Sequence, residues 1–493
     1  MASETPVLAG LEPRAFWAHF AALTRIARPS RHEQAAIEHV RRWAGRHGFA
    51  LQQDDGRNLV VQVPATEGRE KAATVTLQGH LDMVCERDAA SQNDAAEGRI
   101  ALVRESDWLT AEGTTLGADN GVAIAAMMAL AEDESLQHGP LELLMTVAEE
   151  VGLEGANDLD PALVDGSILL NLDSGEDGRL TVGCAGSVDT WIHLEGPREP
   201  AVDGAVALEV TVSGGQGGHS GSGIALGRSN AIKVLGRALR ETLQRVHFRL
   251  VAFAGGKSRN AIPRDAVALC SVAAGDEQAF RQVVAGSAER VRDAFATTDP
   301  ALSIAVDRAD SSADPWSAEA TTRLLDAVVL VPTGPLAMSQ DFDDLVETST
   351  SLGEALTEGD TLTLHHLSRS SNDSALSDVL ATLDAAARLA GGQLEIKVNY
   401  SGWRPNLDSP VLAAASTVYE RLFGGKPDVT AVHGGIEPAV IGDKIPGLDM
   451  LSFGPQIEFP HSPDERLSIQ SVVRFWTLLV TLIDELSTVG SES

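Results

Sequence analysis

Apolar side chains recur at helical spacing from the first residues of the chain. Residues 13–28 carry them three or four positions apart, which predicts a first helix. A second helix is predicted to follow, with Ala36 and Trp43 on its apolar face. Ser30 and Glu33 match the S-x-x-E capping box that begins many helices, so they predict where the second helix starts.

Short apolar runs farther along the chain indicate strands rather than helices. The segment 120–132, by contrast, is apolar nearly all round, which predicts a buried helix. Strands that alternate with helices are typical of an α/β sheet covered on both faces. The predicted strands lie at residues 58–63, 74–78, 141–147 and 167–172.

The pattern changes near residue 184. Beyond it the chain shows alternating strands, an amphipathic helix at 229–247 and loops rich in Gly, Ser and Thr, before a last part that resembles the first again. A length of 493 residues also exceeds what one hydrophobic core usually organises. We therefore predict one α/β domain made of residues 1–186 and 403–493, interrupted by an inserted domain of residues 187–402.

The composition narrows the class of protein. Lys and Arg number 38 against 70 Asp and Glu, and the resulting net charge of −32 repels nucleic-acid phosphates. Cys85, Cys184 and Cys270 are too few and too scattered for a disulfide framework. The N-terminal residues lack the pattern of a signal peptide, and no apolar run is long enough to span a bilayer. We expect a cytoplasmic protein that binds neither nucleic acid nor membrane.

Acidic and histidine side chains stand where apolar runs stop. Each has a plain interpretation when taken singly: a polar loop, a helix N-cap, a solvated turn or a histidine between prolines. Taken together, two imidazoles and several carboxylates at strand ends suit a pair of divalent ions, with a spare glutamate to activate water. This interpretation predicts a metallohydrolase. The residues are His80, Asp82, Asp119, Glu149, Glu150, Asp173 and His461.

Three further polar residues lie in the predicted inserted domain. His219 occupies a glycine-dense loop, 214–223, that lacks the GK[ST] ending of a phosphate cradle and could instead present an imidazole to a developing oxyanion. Asn260 and Arg369 are candidate substrate anchors. Each of these two could equally be a surface or turn residue.

A set of longer motifs resembles one metallopeptidase superfamily, the one that contains carboxypeptidase G, aminoacylase and carnosinase, and within it the aminoacyl-histidine dipeptidase (peptidase D, Xaa-His dipeptidase) group. The resemblance runs nearly end to end. It implies a zinc-peptidase-like α/β catalytic domain with a mixed sheet flanked by helices, interrupted by an inserted α+β lid domain that also forms a homodimer. The motifs are, in order, GHLDMV, TLGADNGVAIA, AEEVGLEGA, NLDSGEDG, GGHSG, RNAIP, the Ser-Arg-Ser segment, HGGIEP and FGPQIEFPHSPDERL.

The same resemblance assigns the metal ligands. It implies that His80 and Asp173 bind one zinc ion, that Glu150 and His461 bind the other, and that Asp119 bridges the two. It also implies a cis peptide bond directly after Asp119. Nitrogen and oxygen ligands of this kind accept Zn²⁺, Mn²⁺ or Co²⁺, and we expect Zn²⁺.

Roles for the other residues follow from the resemblance as well. Asp82 would orient the first histidine ligand, and Glu149 would be the general base. His219 would reach the active site of the partner subunit, while Asn260 and Arg369 would contact substrate. The implied reaction is hydrolysis of unblocked dipeptides, Xaa-His and others. The alternatives are an amidohydrolase of N-acyl amino acids and a non-catalytic metal-binding scaffold.

Overall fold

The computed structural model describes residues 6–311 and 313–488. It has a helix at each of the four segments whose apolar pattern predicts one. Short 3₁₀ turns supplement the α-helices at residues 6–8, 95–97, 161–163, 224–226 and 274–276. The α-helices are α1 (Arg14–Leu23), α2 (Gln34–His47), α3 (Ala118–Glu132), α4 (Glu154–Asp158), α5 (Ala231–Leu243), α6 (Glu277–Ala294), α7 (Ala318–Leu330), α8 (Asp373–Leu389), α9 (Pro410–Phe423), α10 (Glu437–Lys444) and α11 (Ile469–Thr488).

The strands fall into an early, a middle and a late group along the chain. The early group is β1 (Ala50–Gln53), β2 (Leu59–Val63), β3 (Val75–His80), β4 (Leu102–Glu105), β5 (Trp108–Ala111), β6 (Leu141–Thr146), β7 (Ile168–Asn171) and β8 (Arg179–Cys184). The middle group is β9 (Gly186–Glu195), β10 (Ala205–Ser213), β11 (Gly218–His219), β12 (Phe248–Gly255), β13 (Ala261–Ile262), β14 (Ala266–Ala273), β15 (Ser303–Ala309), β16 (Gly334–Met338), β17 (Val346–Glu358), β18 (Thr361–Ser370) and β19 (Gln393–Tyr400). The late group is β20 (Asp428–Val432), β21 (Asp449–Ser452), β22 (Ile457–Glu458) and β23 (Arg466–Ser468).

The chain divides into two compact units. The first comprises the chain up to Gly183, the segment Trp403–Ala431, and the residues from Ile436 onward. The second comprises Cys184–Gly402 and the short segment Val432–Gly435. None of the helices in the two described stretches combines the length and the apolar character needed to cross a membrane.

The first unit is built on a mixed sheet with the strand order β1-β2-β6-β3-β7-β21-β8-β20. The central strands β6, β3, β7 and β21 run parallel, while β1, β2 and β8 pair antiparallel to their neighbours. Every residue of β3 and β6 is buried, as expected for parallel strands covered by helices on both faces. Because the central strands are parallel, their carboxyl ends meet at one edge of the sheet. The mixed sheet flanked by helices is the predicted fold class.

Helix α3 packs directly against the centre of this sheet. Its residues from Val122 to Leu130 are all buried, which confirms the buried helix predicted from its continuous apolar sequence. Gly79 on β3 permits the close approach, since a Cβ there would lie 2.4 Å from the Cβ of Ala123 and 2.4 Å from Oδ1 of Asn120. The packing therefore fixes the start of α3 against the end of β3.

The second unit is α+β. Its antiparallel sheet has the order β15-β10-β14-β12-β17-β18-β9-β19, with β16 paired to β17. Helices α5, α6, α7 and α8 bury their apolar faces with one side of the sheet in a single core that includes Leu235, Phe253, Leu324 and Leu383. The opposite side of β9 and β18 carries polar residues such as Asp189, His365 and Arg369.

The capping box predicted for α2 is wrong. The helix begins at Gln34, and the side chain of its N-cap residue Glu33 makes no capping hydrogen bond. Ser30 instead donates its hydroxyl to Oδ2 of Asp82 at 2.8 Å, and Oε1 of Glu33 accepts the N–H groups of Arg31 and Ala148. The hydroxyl of Ser30 and the carboxylate of Glu33 are thus bonded to partners other than the N–H groups that a capping box requires.

Candidate metal centre

The carboxyl edge of the central strands brings the predicted ligands together in the first unit. His80 is the last residue of β3, and Asp173 follows β7 by two residues. Asp119 lies in the first turn of α3, and Glu150 stands in the turn after β6. His461 comes from the segment between β22 and β23, 288 residues after Asp173. The parallel strands thus bring His80, Glu150 and Asp173 to one edge of the sheet. His461 reaches them from a segment near the end of the chain.

Two groups of side chains share one carboxylate. Nε2 of His80 lies 3.0 Å from Oδ1 of Asp119 and 3.6 Å from Oδ1 of Asp173. Nε2 of His461 lies 3.3 Å from Oδ2 of Asp119 and 3.0 Å from Oε2 of Glu150. Within each group, one potential ligand atom per residue lies within 4.8 Å of the others. The two oxygens of Asp119 therefore face different histidines, which is the geometry of a bridging carboxylate.

The chemistry of these groups suits divalent cations. Oε1 of Glu150 is buried and has no hydrogen-bond partner within the described residues. Burial raises the pKa of Asp173 to about 7; His80 opposes the rise and the nearby carboxylates of Asp119 and Glu150 add to it. Buried like charges at this separation are costly unless a cation or proton neutralises them. The residues present therefore fit a metal centre with two histidine nitrogens and carboxylate oxygens as donors.

Asp82 contacts both His80 and the backbone of the turn that carries Glu149 and Glu150. Its Oδ1 lies 3.3 Å from Nδ1 of His80, and Ser30 donates to its Oδ2. Its two oxygens also accept the backbone N–H groups of Glu149 and Glu150 at 3.1 and 3.2 Å. Although burial opposes ionisation, these hydrogen bonds and His80 lower the pKa of Asp82 to about 2. A proton on Nδ1 of His80 then leaves Nε2 free as a ligand.

Glu149 lies next to these two ligand groups, but its carboxylate is farther from His80 than that of Asp119. Its Oε2 is 4.0 Å from Nε2 of His80, against 3.0 Å for Oδ1 of Asp119. His80, Glu149 and Glu150 also form a possible ligand group, so position alone leaves Glu149 free for either role. Burial raises its pKa well above the ordinary value of a glutamate, and Asp173 and Glu150 act in the same direction against His80. A carboxylate with a raised pKa can take a proton at neutral pH.

His219 lies in the second unit, exposed on the short strand β11. Its Nδ1 accepts the backbone N–H groups of Gly221 at 3.1 Å and Ser222 at 3.2 Å. Two donors to Nδ1 assign the imidazole proton to Nε2. Partial desolvation of the ring and the positive charge of Arg369 lower the pKa of His219, so the ring is neutral and offers one N–H donor.

The other two predicted anchors also belong to the second unit. Asn260 is exposed, accepts the hydroxyl of Ser258 at Oδ1 and accepts the N–H of Ser220 at its backbone oxygen. Arg369 on β18 is buried, and its Nη1 donates to the hydroxyl of Tyr400 at 3.2 Å. Nε of Arg369 has no partner in the described part of the chain. Arg369 is thus a buried cation whose Nε–H is available to a further acceptor, while Asn260 is held in a turn by local hydrogen bonds.

A family comparison identifies the chain. The model for peptidase family M20/M25/M40 matches residues 76–485. The chain belongs to this family. The cytosol non-specific dipeptidase of Escherichia coli K12 is 36% identical over 479 residues, which cover 97% of this chain and 99% of that protein. The crystal structure of aminoacylhistidine dipeptidase from Vibrio alginolyticus has a TM-score of 0.90 at 35% identity, with 98% of this chain and 99% of that one covered.

More distant solved structures share the fold. Aminopeptidase PepT from Bacillus cereus has a TM-score of 0.56 at 15% identity, over 97% of this chain and 99% of that one. The predicted membership in the peptidase superfamily and the predicted α/β peptidase fold are therefore confirmed. The lid role of the second unit and the roles of individual side chains stay predictions.

Asn120 also belongs to the candidate metal centre of this M20 chain, although no role for its side chain is predicted from the sequence. The Asp119–Asn120 peptide bond is cis, as the resemblance implies. Oδ1 of Asn120 accepts the N–H of His80 at 3.2 Å, and its Nδ2 donates to the carbonyl of Leu172 at 3.0 Å. Asn120 thus ties the ends of β3 and β7 to the start of α3. Its position directly after an acidic residue in a glycine-flanked segment was the available signal.

Ser349 and His433 extend the polar surroundings of Arg369 in the second unit, and neither was predicted. Ser349 on β17 is the register partner of Arg369 on β18. Nε2 of His433 lies 2.7 Å from Oγ of Ser349, and its buried Nδ1 has no partner within the described residues. Burial and Arg369 lower the pKa of His433 to about 4, so its ring is neutral. His433 begins the HGGIEP motif, and the sequence alone gives this histidine no role.

Proposed function

We propose that the protein is a metal-dependent dipeptidase that hydrolyses unblocked dipeptides, both Xaa-His and broader Xaa-Xaa substrates. The observation that carries the proposal is the shared carboxylate of Asp119 between two histidine–carboxylate groups, with Glu149 beside them. Two relatives that cover nearly the whole chain are named as dipeptidases, which supports the same substrate class.

His80 and Asp173 would hold one cation, Glu150 and His461 the second, and Asp119 would bridge them. We propose Zn²⁺, with Mn²⁺ or Co²⁺ as ions that the same donors accept. When bound, the pair supplies Lewis-acid polarisation and lowers the pKa of water toward neutrality. The net charge of −32 raises the local concentration of cations around the protein.

Glu149 would act as general base. Its carboxylate takes one proton from the attacking water as the water oxygen bonds to the peptide carbonyl carbon. When the carbon–nitrogen bond breaks, the same carboxyl group returns that proton to the leaving amine. Burial raises the pKa of Glu149, which suits a group that must both accept and release a proton near neutral pH.

Residues of the second unit would bind and polarise the substrate. The neutral ring of His219 offers Nε2–H as a donor to the oxyanion that forms on the carbonyl oxygen. We propose that His219 acts in the active site of the partner subunit of a homodimer, with the second unit as lid and dimerisation domain. The buried guanidinium of Arg369 would bind the terminal carboxylate, and Asn260 would contact the substrate. The proposed location is the cytoplasm.

Hydrolysis assays on metal-analysed protein test the proposal. Chelator-treated protein should be inactive toward Leu-His and β-alanyl-histidine, and Zn²⁺, Mn²⁺ or Co²⁺ should restore turnover. A preference for N-acetyl amino acids over dipeptides would favour an amidohydrolase instead. Stoichiometric metal binding without turnover of either substrate class would favour a non-catalytic scaffold.

Metal binding should release protons. The hydrogen bonds that the imidazole of His461 donates to Asp119 and Glu150 raise the pKa of His461 to about 10, although burial opposes this. The carboxylates around His80 raise its pKa as well, again against burial. Both imidazoles are therefore protonated at pH 7 in the cation-free protein, and a cation must displace about one to two protons to bind. The apparent affinity should fall as the pH falls, because protons compete at the same nitrogens.

Calorimetric titration measures this release directly. Zn²⁺ is titrated into chelator-treated protein at pH 7 in two buffers that differ in ionisation enthalpy, and the difference in heat gives the number of protons. A His461→Ala variant should release about one proton fewer. Equal heats in both buffers would contradict the predicted protonation of the free centre.

Replacing Arg369 should weaken substrate binding rather than chemistry. Arg369→Met removes the donors proposed for the substrate carboxylate, and charge-assisted hydrogen bonds worth about 1.5–3 kcal/mol correspond to a rise in KM of about ten- to a hundredfold. Arg388→Met is the control, because the side chain of Arg388 makes an exposed ion pair with Asp384 on α8 and no other contact of that kind within the described residues. An unchanged KM for Leu-His in Arg369→Met would remove Arg369 from the substrate site.

A further inference from the structure

Two buried charges in the first unit flank the segment that carries Asp119, and the proposed mechanism uses neither. Arg28 is 2% exposed and Glu465 is 1% exposed. They form no ion pair with each other; each is bonded instead to the backbone of the segment Leu116–Asp119. Burying two charges costs free energy unless hydrogen bonds compensate for the lost water, and here the backbone of this segment supplies those partners.

Glu465 accepts hydrogen bonds from four consecutive backbone N–H groups. Its Oε2 accepts from Leu116 at 2.8 Å and Gly117 at 2.9 Å, and its Oε1 accepts from Ala118 at 2.8 Å and Asp119 at 3.2 Å. These N–H groups lie at the start of α3, where a helix has no acceptors of its own. Glu465 stands four residues after His461. The carboxylate therefore joins the segment of one candidate ligand to that of another.

Arg28 joins the same segment to a third candidate ligand. Its Nη1 donates to the carbonyls of Leu81 at 3.0 Å and Asp82 at 2.9 Å, directly after His80. Its Nη2 donates to the carbonyl of Gly117 at 2.6 Å. The approach needs glycine, because Gly117 has φ +72° and a Cβ there would lie 2.6 Å from Nη2 of Arg28. Gly117 thus donates its N–H to the carboxylate of Glu465, and its carbonyl accepts from the guanidinium of Arg28.

We infer that Arg28 and Glu465 are positioning residues that hold the carboxylate of Asp119 between His80 and His461 before any cation binds. The inference rests on the proposed function of the metal centre. Asp119 must keep its place among the carboxylates of Glu150 and Asp173, which repel it while the site has no cation. Nε2 of His80 and Nε2 of His461 contact the oxygens of Asp119, but these nitrogens are themselves candidate ligands. The backbone bonds of Arg28 and Glu465 hold the segment without using any ligand atom. Outer partners of this kind orient metal ligands in proteins generally.

A plain structural interpretation is that Glu465 only caps α3 and Arg28 only fills a buried space. The chain offers a matched control for that interpretation. Glu142 on β6 is also 1% exposed and also accepts two backbone N–H groups, from Asp165 at 3.0 Å and Gly166 at 3.1 Å, with further bonds from Thr76 and Gln62. Glu142 lies at the opposite end of β6 from the metal centre, so its loss should affect folding stability alone.

The experiment compares Glu465→Gln, Arg28→Lys and Glu142→Gln with the unaltered protein. A carboxamide accepts through one oxygen only, and a lysine lacks the planar fork of the guanidinium. Hydrogen exchange of residues 116–119 in chelated protein, Zn²⁺ affinity by chelator competition, and kcat and KM for Leu-His are measured. Glu465→Gln and Arg28→Lys should exchange faster at this segment, bind Zn²⁺ about ten- to a hundredfold more weakly, and lose kcat by a similar factor with KM nearly unchanged.

Glu142→Gln should keep wild-type exchange at residues 116–119 and wild-type Zn²⁺ affinity, whatever its thermal stability. Wild-type Zn²⁺ affinity in both Glu465→Gln and Arg28→Lys would overturn the inference, as would an equal loss of affinity in Glu142→Gln. If Glu465→Gln does not fold, Arg28→Lys decides by the same measurements. Failure of the proposed function is a separate result, seen as absence of dipeptide turnover in the unaltered protein, while exchange and affinity still report on positioning.

Discussion

Glu149→Gln should lower kcat for Leu-His by about a hundredfold to ten-thousandfold, the range that general acid–base catalysis contributes, and leave the bound cations in place. Glutamine keeps the size and the hydrogen-bonding shape of the side chain but cannot accept the proton of the attacking water. Oε2 of Glu149 lies 4.0 Å from Nε2 of His80, farther than the 3.0 Å of Asp119, so its loss should not empty the centre. Steady-state kinetics and metal analysis of the same preparation measure both effects.

Glu154→Gln is the matched control for this prediction. Glu154 is the first residue of α4, four residues after Glu150, and forms an exposed ion pair with Arg31. Exposed pairs of this kind contribute little, so turnover should stay close to that of the unaltered protein. Near-normal turnover in Glu149→Gln would remove Glu149 as the base. Loss of a cation in that variant would instead make Glu149 a ligand, the other role that its position allows.

The part of the centre that sequence could predict is the part fixed by strand topology. His80, Glu149, Glu150 and Asp173 lie at or after the ends of largely apolar, buried strands. These strands, β3, β6 and β7, are parallel neighbours in the sheet. Parallel strands end at one edge, so an acid or histidine after each run must lie near the others. Polar residues at strand ends are therefore readable from periodicity alone.

His461 could not be placed by that argument. It precedes the short strand β23, which pairs with β5 in a separate small sheet, and its φ of +62° belongs to a tight turn rather than to a strand end. Two residues of loop between prolines give no periodic signal. Only the resemblance of the FPHSPDERL segment to a known motif predicted its meeting with Asp119, 342 positions earlier.

The buried charges Arg28 and Glu465 show a second limit. Both bond to backbone atoms, and backbone partners leave no trace in side-chain pattern or charge complementarity. The false capping box has the same cause. Ser30 and Glu33 fit a local rule, but the buried carboxylate of Asp82 and the N–H of Ala148 compete for them across the fold. Local propensity decides such polar residues only where no buried partner lies within reach.

Asp119→Asn should lower kcat/KM by about a thousandfold or more, because it removes an interaction that serves both halves of the centre. The two oxygens of Asp119 face His80 and His461 separately. An asparagine keeps one acceptor oxygen and turns an amide donor toward the other histidine, where a cation would sit. Loss of one cation removes several kcal/mol of transition-state stabilisation, which corresponds to that loss in rate. Metal analysis should find at most about one tightly bound ion per chain.

Thermal unfolding separates this effect from general damage. A ligand that binds only the folded state stabilises it in proportion to its affinity, so the unaltered protein should unfold at a higher temperature with Zn²⁺ than with chelator. That difference should shrink in Asp119→Asn. Asp133→Asn, at the opposite end of α3, should keep it in full, since the side chain of Asp133 bonds, among the described residues, only to Ser135 in an exposed turn. A full complement of cations and an unchanged Zn²⁺-dependent shift in Asp119→Asn would contradict the bridging role of Asp119, and would favour Glu150 as the bridge, since Glu150 shares a possible ligand group with each histidine.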